Sequence, residues 1–394
     1  MRETHRQEFR EFCDSVTQEL VSASIQRENR VGWVSLKPTD GVGFELHSGY
    51  SLYEGSLGIA VYLAAYADVT GDERAETAAR QAVAPWMEAS PPLASFSNVG
   101  VMVGVGAVCY ALVRVGVHLS DPSYVDKAIE VVRAVNHSRV RDGRTDVNFG
   151  TAGLLLAITG LLQQRPKAPV RSVGRSAVES LLTSGVKPSP DQLAWTTVRD
   201  DPTAGFAHGV DGIAYALGRW AAVTSDDRAR DAALAGCRFS DSWLAKSVDP
   251  TGQQEVVSWE AWCWGRPGVA LARAGLNDVL GDSHPWLANQ AKIYASQMGD
   301  TPKPEDCLCH GTFGDIALQC EFGATIAETY RESARELAIN AVKRATTAGQ
   351  LRLPNERVES VARPSLLLGI AGAGYATLRL LAPERVPSVL NLSV

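Results

Sequence analysis

The stretch "HGVDGIAYALGRW" at 208–220 sets two glycines three residues apart and follows them with an apolar run rich in small residues. The same punctuation returns as "EGSLGIAVYLAAY" (54–66), "FGTAGLLLAIT" (149–159), "WGRPGVALARAG" (264–275), "HGTFGDIALQC" (310–320) and "LGIAGAGYATLRL" (368–380). A further copy, "VGVGAVCYAL" (103–112), keeps Gly106 and reads as having Val103 where the first glycine belongs. The second glycines stand at 58, 106, 153, 212, 268, 314 and 372, a period of 46–59 residues. Self-similarity at such a period marks a supersecondary unit repeated in a stack or a ring.

Each period holds two helices and their loops. Between the glycine steps, "DERAETAARQAVAPWMEA" (72–89) and "PSYVDKAIEVVRAVNHS" (122–138) carry apolar residues at mixed i, i+3 and i+4 spacing, the mark of amphipathic helices. Polar, proline-containing segments such as "QQRPKAPVRS" (163–172) and "TPKPED" (301–306) separate helices instead of marking one domain boundary. Two-residue alternation is nearly absent, so the chain reads as all-helical. The helices after the glycine steps are apolar all round, as expected of helices buried by neighbours. Glycine at those steps lets backbone approach backbone and relieves φ restrictions in the turn. Seven buried helices with seven amphipathic partners suit a closed ring of two concentric layers or an open superhelix; a ring needs no end caps. The expected organisation is an N-terminal helical segment over 1–50 packing on one domain over 51–394.

Composition narrows the function. A formal net charge of −6 supplies no stripe to neutralise phosphates, which argues against nucleic acid as a partner. No segment approaches the roughly 18–20 uninterrupted apolar residues that span a bilayer. The start, "MRETHRQEFREFCDSVTQELV", is charged and has no apolar signal core, so a cytoplasmic protein is expected. Seven cysteines, an odd number, do not suit a disulfide framework. Cys13, Cys109, Cys237 and Cys320 read as small buried hydrophobes.

The residues beside the glycine steps carry the chemistry. If all seven steps lie at one mouth of a ring, these residues meet near its axis. Asp146 lies four residues before Gly150, His208 directly before Gly209, Cys263 two before Gly265, and Cys309 and His310 directly before Gly311. Two thiols and an imidazole are a three-ligand zinc set that keeps a fourth position for water or substrate. Cys307 is a spare thiol, and adjacency to the glycine step favours Cys309. On spacing alone, core packing stands beside zinc as a reading. His208 as a helix-start histidine bonded to backbone, and Asp146 as an N-cap, likewise stand beside catalytic roles.

"DVNFGTAG" (146–153), "HGVDG" (208–212), "WCWGRPG" (262–268), "CHGTFG" (309–314) and "PSLLLGIAGAGYATLRL" (364–380) together resemble the lanthionine synthetase C-like family of peptide cyclases, from about Ser51 to Leu381. The resemblance implies an α/α toroid of about seven inner and seven outer helices, with one Zn2+ on Cys263, Cys309 and His310. It implies thioether ring formation: a cysteine of a dehydrated precursor peptide adds to dehydroalanine or dehydrobutyrine, with His208 in acid–base work and Asp146 as its partner. It also implies a separate dehydratase, an exporter, and a cytoplasmic location with membrane association through a biosynthetic complex. Some such cyclases carry an arginine four residues before the first zinc cysteine; here that position is Trp259. Arg266 is a candidate substitute cation, and Trp264 and Trp259 are candidate pocket residues. The rival reading is a zinc-bearing thiol- or glutathione-binding protein of the same fold without cyclase activity, which needs no proton donor.

Overall fold

A computed structural model describes the chain except residues 39–43, 89, 91–92, 94–95, 136–139, 141–143, 247–260 and 355–362. Seven helices follow the seven glycine steps: α2 (Ser56–Thr70), α4 (Val105–His118), α6 (Thr151–Gln164), α8 (Val210–Thr224), α10 (Arg266–Leu280), α12 (Thr312–Thr325) and α14 (Ile370–Leu381). Each packs on the next and α14 packs on α2, so the ring closes. Neighbours bury these helices on most sides, most completely in α2, which lacks an amphipathic stripe and in which each residue from Ser56 to Ala67 is buried.

The outer layer is α1 (Glu3–Ser22), α3 (Glu73–Met87), α5 (Pro122–Arg133), α7 (Arg171–Ser184), α9 (Asp227–Lys246), α11 (Trp286–Ala295) and α13 (Glu328–Ala348). In α3, Ala75, Ala78, Ala79, Ala82, Val83 and Trp86 form one buried stripe, the 3.6-residue signature of a helix with one wet face. Its N-cap Asp72 accepts from the backbone N–H groups of Arg74 and Ala75 at 2.9 and 3.0 Å, satisfying donors the helix start would orphan. Helix α1 packs against α13 and α14, so the first helix of the chain serves the last glycine step. The fold is an α/α toroid.

Two details differ from the sequence reading. Two small antiparallel hairpins, β1 (Ile25–Arg27) with β2 (Arg30–Gly32) and β3 (Ser35–Pro38) with β4 (Phe44–His47), join α1 to the ring; pairs of three or four residues are too short to show alternation. In the second repeat the first glycine is present, shifted by one position: Gly104, not Val103, caps α4.

The glycines act through close approach alone. The seven capping glycines have φ between −103° and −128°, an extended backbone open to any residue. Space constrains both glycines of a step: a Cβ on Gly209 would lie 2.5 Å from the carbonyl carbon of Ala204, and one on Gly212 1.8 Å from the carbonyl oxygen of Phe206. The turns that open the inner helices therefore pack backbone on backbone, and they hydrogen-bond around the mouth. Leu52 N–H donates to Met102 O, Met102 N–H to Asn148 O, Asn148 N–H to Ala207 O and Ala207 N–H to Cys263 O. On the other arc Cys309 N–H donates to Leu367 O, and Leu367 N–H to Tyr53 O. The bore beneath is filled by residues 386–394. Tyr375, Trp262 and Tyr110 donate to the carbonyls of Pro387, Leu390 and Ser393 at 2.7, 3.1 and 3.1 Å.

Candidate functional site

The fifth and sixth turns meet through their sulfurs. Cys309 donates its S–H to the Cys263 sulfur, and this contact lowers the Cys263 thiol; burial opposes it, and the N–H groups of Cys263 and Trp264 and the charge of Lys303 add to it. The same contact and burial push Cys309 up. The Tyr53 hydroxyl, 3.1 Å from the Cys309 sulfur, donates to it. Two thiols sharing one proton, one of them held by backbone N–H groups, form a ready soft-ligand pair for zinc.

His310 lies in the turn beside Cys309 but turns one ring nitrogen elsewhere: Nε2 is 2.7 Å from Oε2 of Glu305. Among the described residues, the histidine, cysteine and carboxylate ligand atoms that gather within 4.8 Å of one another are those of Glu305, Cys307 and His310. Cys307 is buried, which pushes its thiol up to about 12 although its sulfur accepts from the N–H groups of His310, Cys309 and Gly311. The structure thus joins two of the three expected zinc ligands directly and leaves the third paired with a carboxylate. Nothing in the sequence reading singled out Glu305; its signal was an acid five residues before the histidine, in a segment read as a proline-rich loop.

The third and fourth turns bring Asp146 and His208 together. His208 Nδ1 lies 2.8 Å from Asp146 Oδ2. Asp146 is fully buried, and its other oxygen accepts from the Phe149 N–H at 3.1 Å. That pairing puts the imidazole proton on Nδ1 and leaves Nε2 as an acceptor, facing Nδ2 of Asn148 at 3.3 Å. Asn148 did not emerge from the sequence, where it sits unremarked inside "DVNFG". The His208 ring is stacked between Phe149 and Trp264, with centroids 5.5 and 5.0 Å away and planes within 26° and 29°. Arg144 lies over Phe149 and Arg199 over Trp264, at 5.0 and 4.6 Å, so a guanidinium caps each end of the column. Trp264, read as a pocket residue, therefore touches the histidine and adjoins Cys263. Arg266 opens helix α10 and is partly buried. Trp259 lies outside the described residues.

Buried ion pairs hold these turns from behind. Asp211, fully buried, accepts from Gly205 N–H at 2.9 Å, Ser240 at 2.8 Å and Arg273 at 2.7 Å. Gly205, at φ +129°, lies where a Cβ would meet the carbonyl of Cys263 and the Cα of Trp264, both at 2.9 Å. Removing one partner of so buried a pair costs roughly 3–5 kcal/mol. On the other side Asp306, also fully buried, takes both terminal nitrogens of Arg344 at 2.9 and 2.7 Å and the Arg352 N–H at 2.8 Å, directly before Cys307.

An α/α toroid whose glycine-capped mouth carries a thiol pair, an imidazole and an aspartate–histidine dyad defines a class. Residues 47–391 match the family model of lanthionine synthetase C-like proteins. The chain belongs to that family. Among solved structures it is similar to nisin cyclase, at 14% identity and a TM-score of 0.62, over 87% of this chain and 92% of that one. It is also similar to an unsaturated glucuronyl hydrolase specific for heparin (10% identity, TM-score 0.47, 98% of this chain and 100% of that one). Another similar structure is a sugar epimerase from a ruminal bacterium (12%, TM-score 0.42, 74% and 85%). At 14% identity the likeness to nisin cyclase shows the fold. No curated protein matches the sequence. No described helix is long and apolar enough to cross a membrane.

Proposed function

We propose that this chain is a zinc-dependent lanthipeptide cyclase, closing lanthionine and methyllanthionine rings in a dehydrated precursor peptide. The observation that carries the reading is the meeting at one mouth of a Cys263–Cys309 thiol pair and an Asp146–His208 dyad, joined through Trp264. The donor set fits zinc in kind, with Cys263, Cys309 and His310 as the holding residues. Zinc bound there would lower the pKa of a peptide thiol and keep it as thiolate near neutral pH.

The chain's own residues supply the remainder. Addition of S–H across the dehydro double bond places sulfur on the β-carbon and a proton on the α-carbon, and nothing leaves. His208 is the group that passes that proton, through Nε2, because Asp146 holds Nδ1. A positioned acid or base of this kind contributes about 10²–10⁴-fold. Phe149 and Trp264 keep the ring in plane. The peptide reaches this site already dehydrated, by a separate dehydratase, in a cytoplasmic setting that an exporter then clears.

The test is mass spectrometry after thiol alkylation of a dehydrated peptide incubated with the protein. Ring closure leaves the peptide mass unchanged and its cysteines unreactive. A protein that binds zinc and thiol yet leaves every cysteine open to alkylation is a thiol-binding protein instead, and the cyclase reading falls.

A further inference from the structure

We propose that Glu305 is the carboxylate that orients the metal-binding imidazole: it holds Nε2 of His310 and so presents Nδ1 as the nitrogen for zinc. This rests on the zinc reading above. The two atoms lie 2.7 Å apart, an ion-pair contact not aligned as a hydrogen bond, on side chains 32% and 37% accessible at the mouth; Oε2 itself is buried with no hydrogen-bond partner, so the imidazole is the polar group it faces. The backbone under Glu305 is fixed independently of its side chain. Its carbonyl accepts from the N–H and hydroxyl of Thr312 at 2.8 and 3.1 Å, and the next residue, Asp306, is clamped by Arg344 and Arg352. The carboxylate is thus carried on a rigid loop, and its removal leaves that loop's bonds intact.

Ligating histidines commonly give their second ring N–H to a carboxylate, which fixes the tautomer, aims the ring and raises the basicity of the coordinating nitrogen. A carboxylate on Nε2 draws the imidazole proton there, and Nδ1 has no hydrogen-bond partner among the described residues. The neighbouring Cys307 sulfur is occupied by three backbone N–H groups. It therefore has a structural role of its own, although Glu305, Cys307 and His310 lie close enough to hold an ion by themselves. The two arrangements make opposite demands on Cys307: as a ligand it is essential, and as a turn-binding thiol it is dispensable for metal.

Competition with a chromophoric zinc chelator decides between them, on the full chain as wild type, E305Q, E305D and C307A, with melting temperatures to confirm folding. The expected result is unchanged zinc stoichiometry in E305Q, with binding weaker by about 10–100-fold, recovery in part by E305D, and wild-type affinity in C307A. Cobalt(II) loaded into E305Q keeps the thiolate-to-metal absorption of the wild type. Equal zinc affinity in wild type and E305Q overturns the proposal, as does loss of zinc from both E305Q and C307A, which would make both residues ligands. A wild-type chain that takes up no zinc defeats the zinc reading itself, a different result from any of these.

Discussion

His208 and His118 each set Nδ1 against an aspartate, at 2.8 Å from Asp146 and 3.1 Å from Asp68, yet they sit at opposite ends of the inner helices. His208 precedes the glycine cap of α8, at the mouth; His118 is the last residue of α4. Their second nitrogens differ most. Nε2 of His118 accepts from the buried Arg114 guanidinium at 2.6 Å, a group with no proton to lose. Burial, with Arg114 adding to it, pushes His118 down to about 4. Nε2 of His208 meets a neutral amide. An aspartate partner alone does not make an acid–base histidine. What counts is the nitrogen on the far side, and whether it looks onto the mouth or into a cation.

The largest expected effects fall on the thiols. Cys263→Ala and Cys309→Ala each lose bound zinc and ring formation together, measured by metal analysis and alkylation mass spectrometry. Next comes the comparison itself. His208→Gln keeps zinc and slows cyclisation by about 10²–10⁴-fold, whereas His118→Gln leaves the rate unchanged; equal losses in both would erase the distinction between the two ends.

The buried histidine shows itself in stability. An unfolded chain takes up its proton near pH 6.5, while the folded one resists until about 4, so between those values the unfolded state binds more protons and stability falls as pH drops. Above pH 6.5 the residue takes nothing from stability, and the loss reaches about 3 kcal/mol by pH 4. Urea titrations across this window should show a slope that His118→Gln flattens. The smallest effect concerns the column: Trp264→Phe keeps a stacked face beside His208 and should slow cyclisation least, while Trp264→Ala slows it more, within the roughly 10²-fold that a misplacement of about 1 Å can cost.

The glycine period made most of the architecture legible, because the close approach of each second glycine to the carbonyl six residues before it tolerates no side chain and so writes itself into the sequence at every repeat. The same rule places His208, Cys263, Cys309 and His310 at the mouth, and it shows why His118, twelve residues beyond Gly106, belongs to the other end. Gly104 escaped because its step is one residue shorter. The hairpins and the buried 386–394 segment escaped because neither carries a period. Glu305, Asn148 and Asp211 were illegible for a different reason: each acts through a contact to a residue distant in the chain or hidden in a turn, and a lone acid or amide has many ordinary uses.

X-ray absorption at the zinc edge of the wild-type protein, before and after addition of a peptide thiol, probes the proposed centre most directly. Sulfur from Cys263 and Cys309 at about 2.3 Å, with imidazole nitrogen, and one further sulfur when the peptide thiol is added, is the predicted result. A single sulfur with carboxylate oxygen, as Glu305, Cys307 and His310 would give, or a sulfur count indifferent to added thiol, would contradict it.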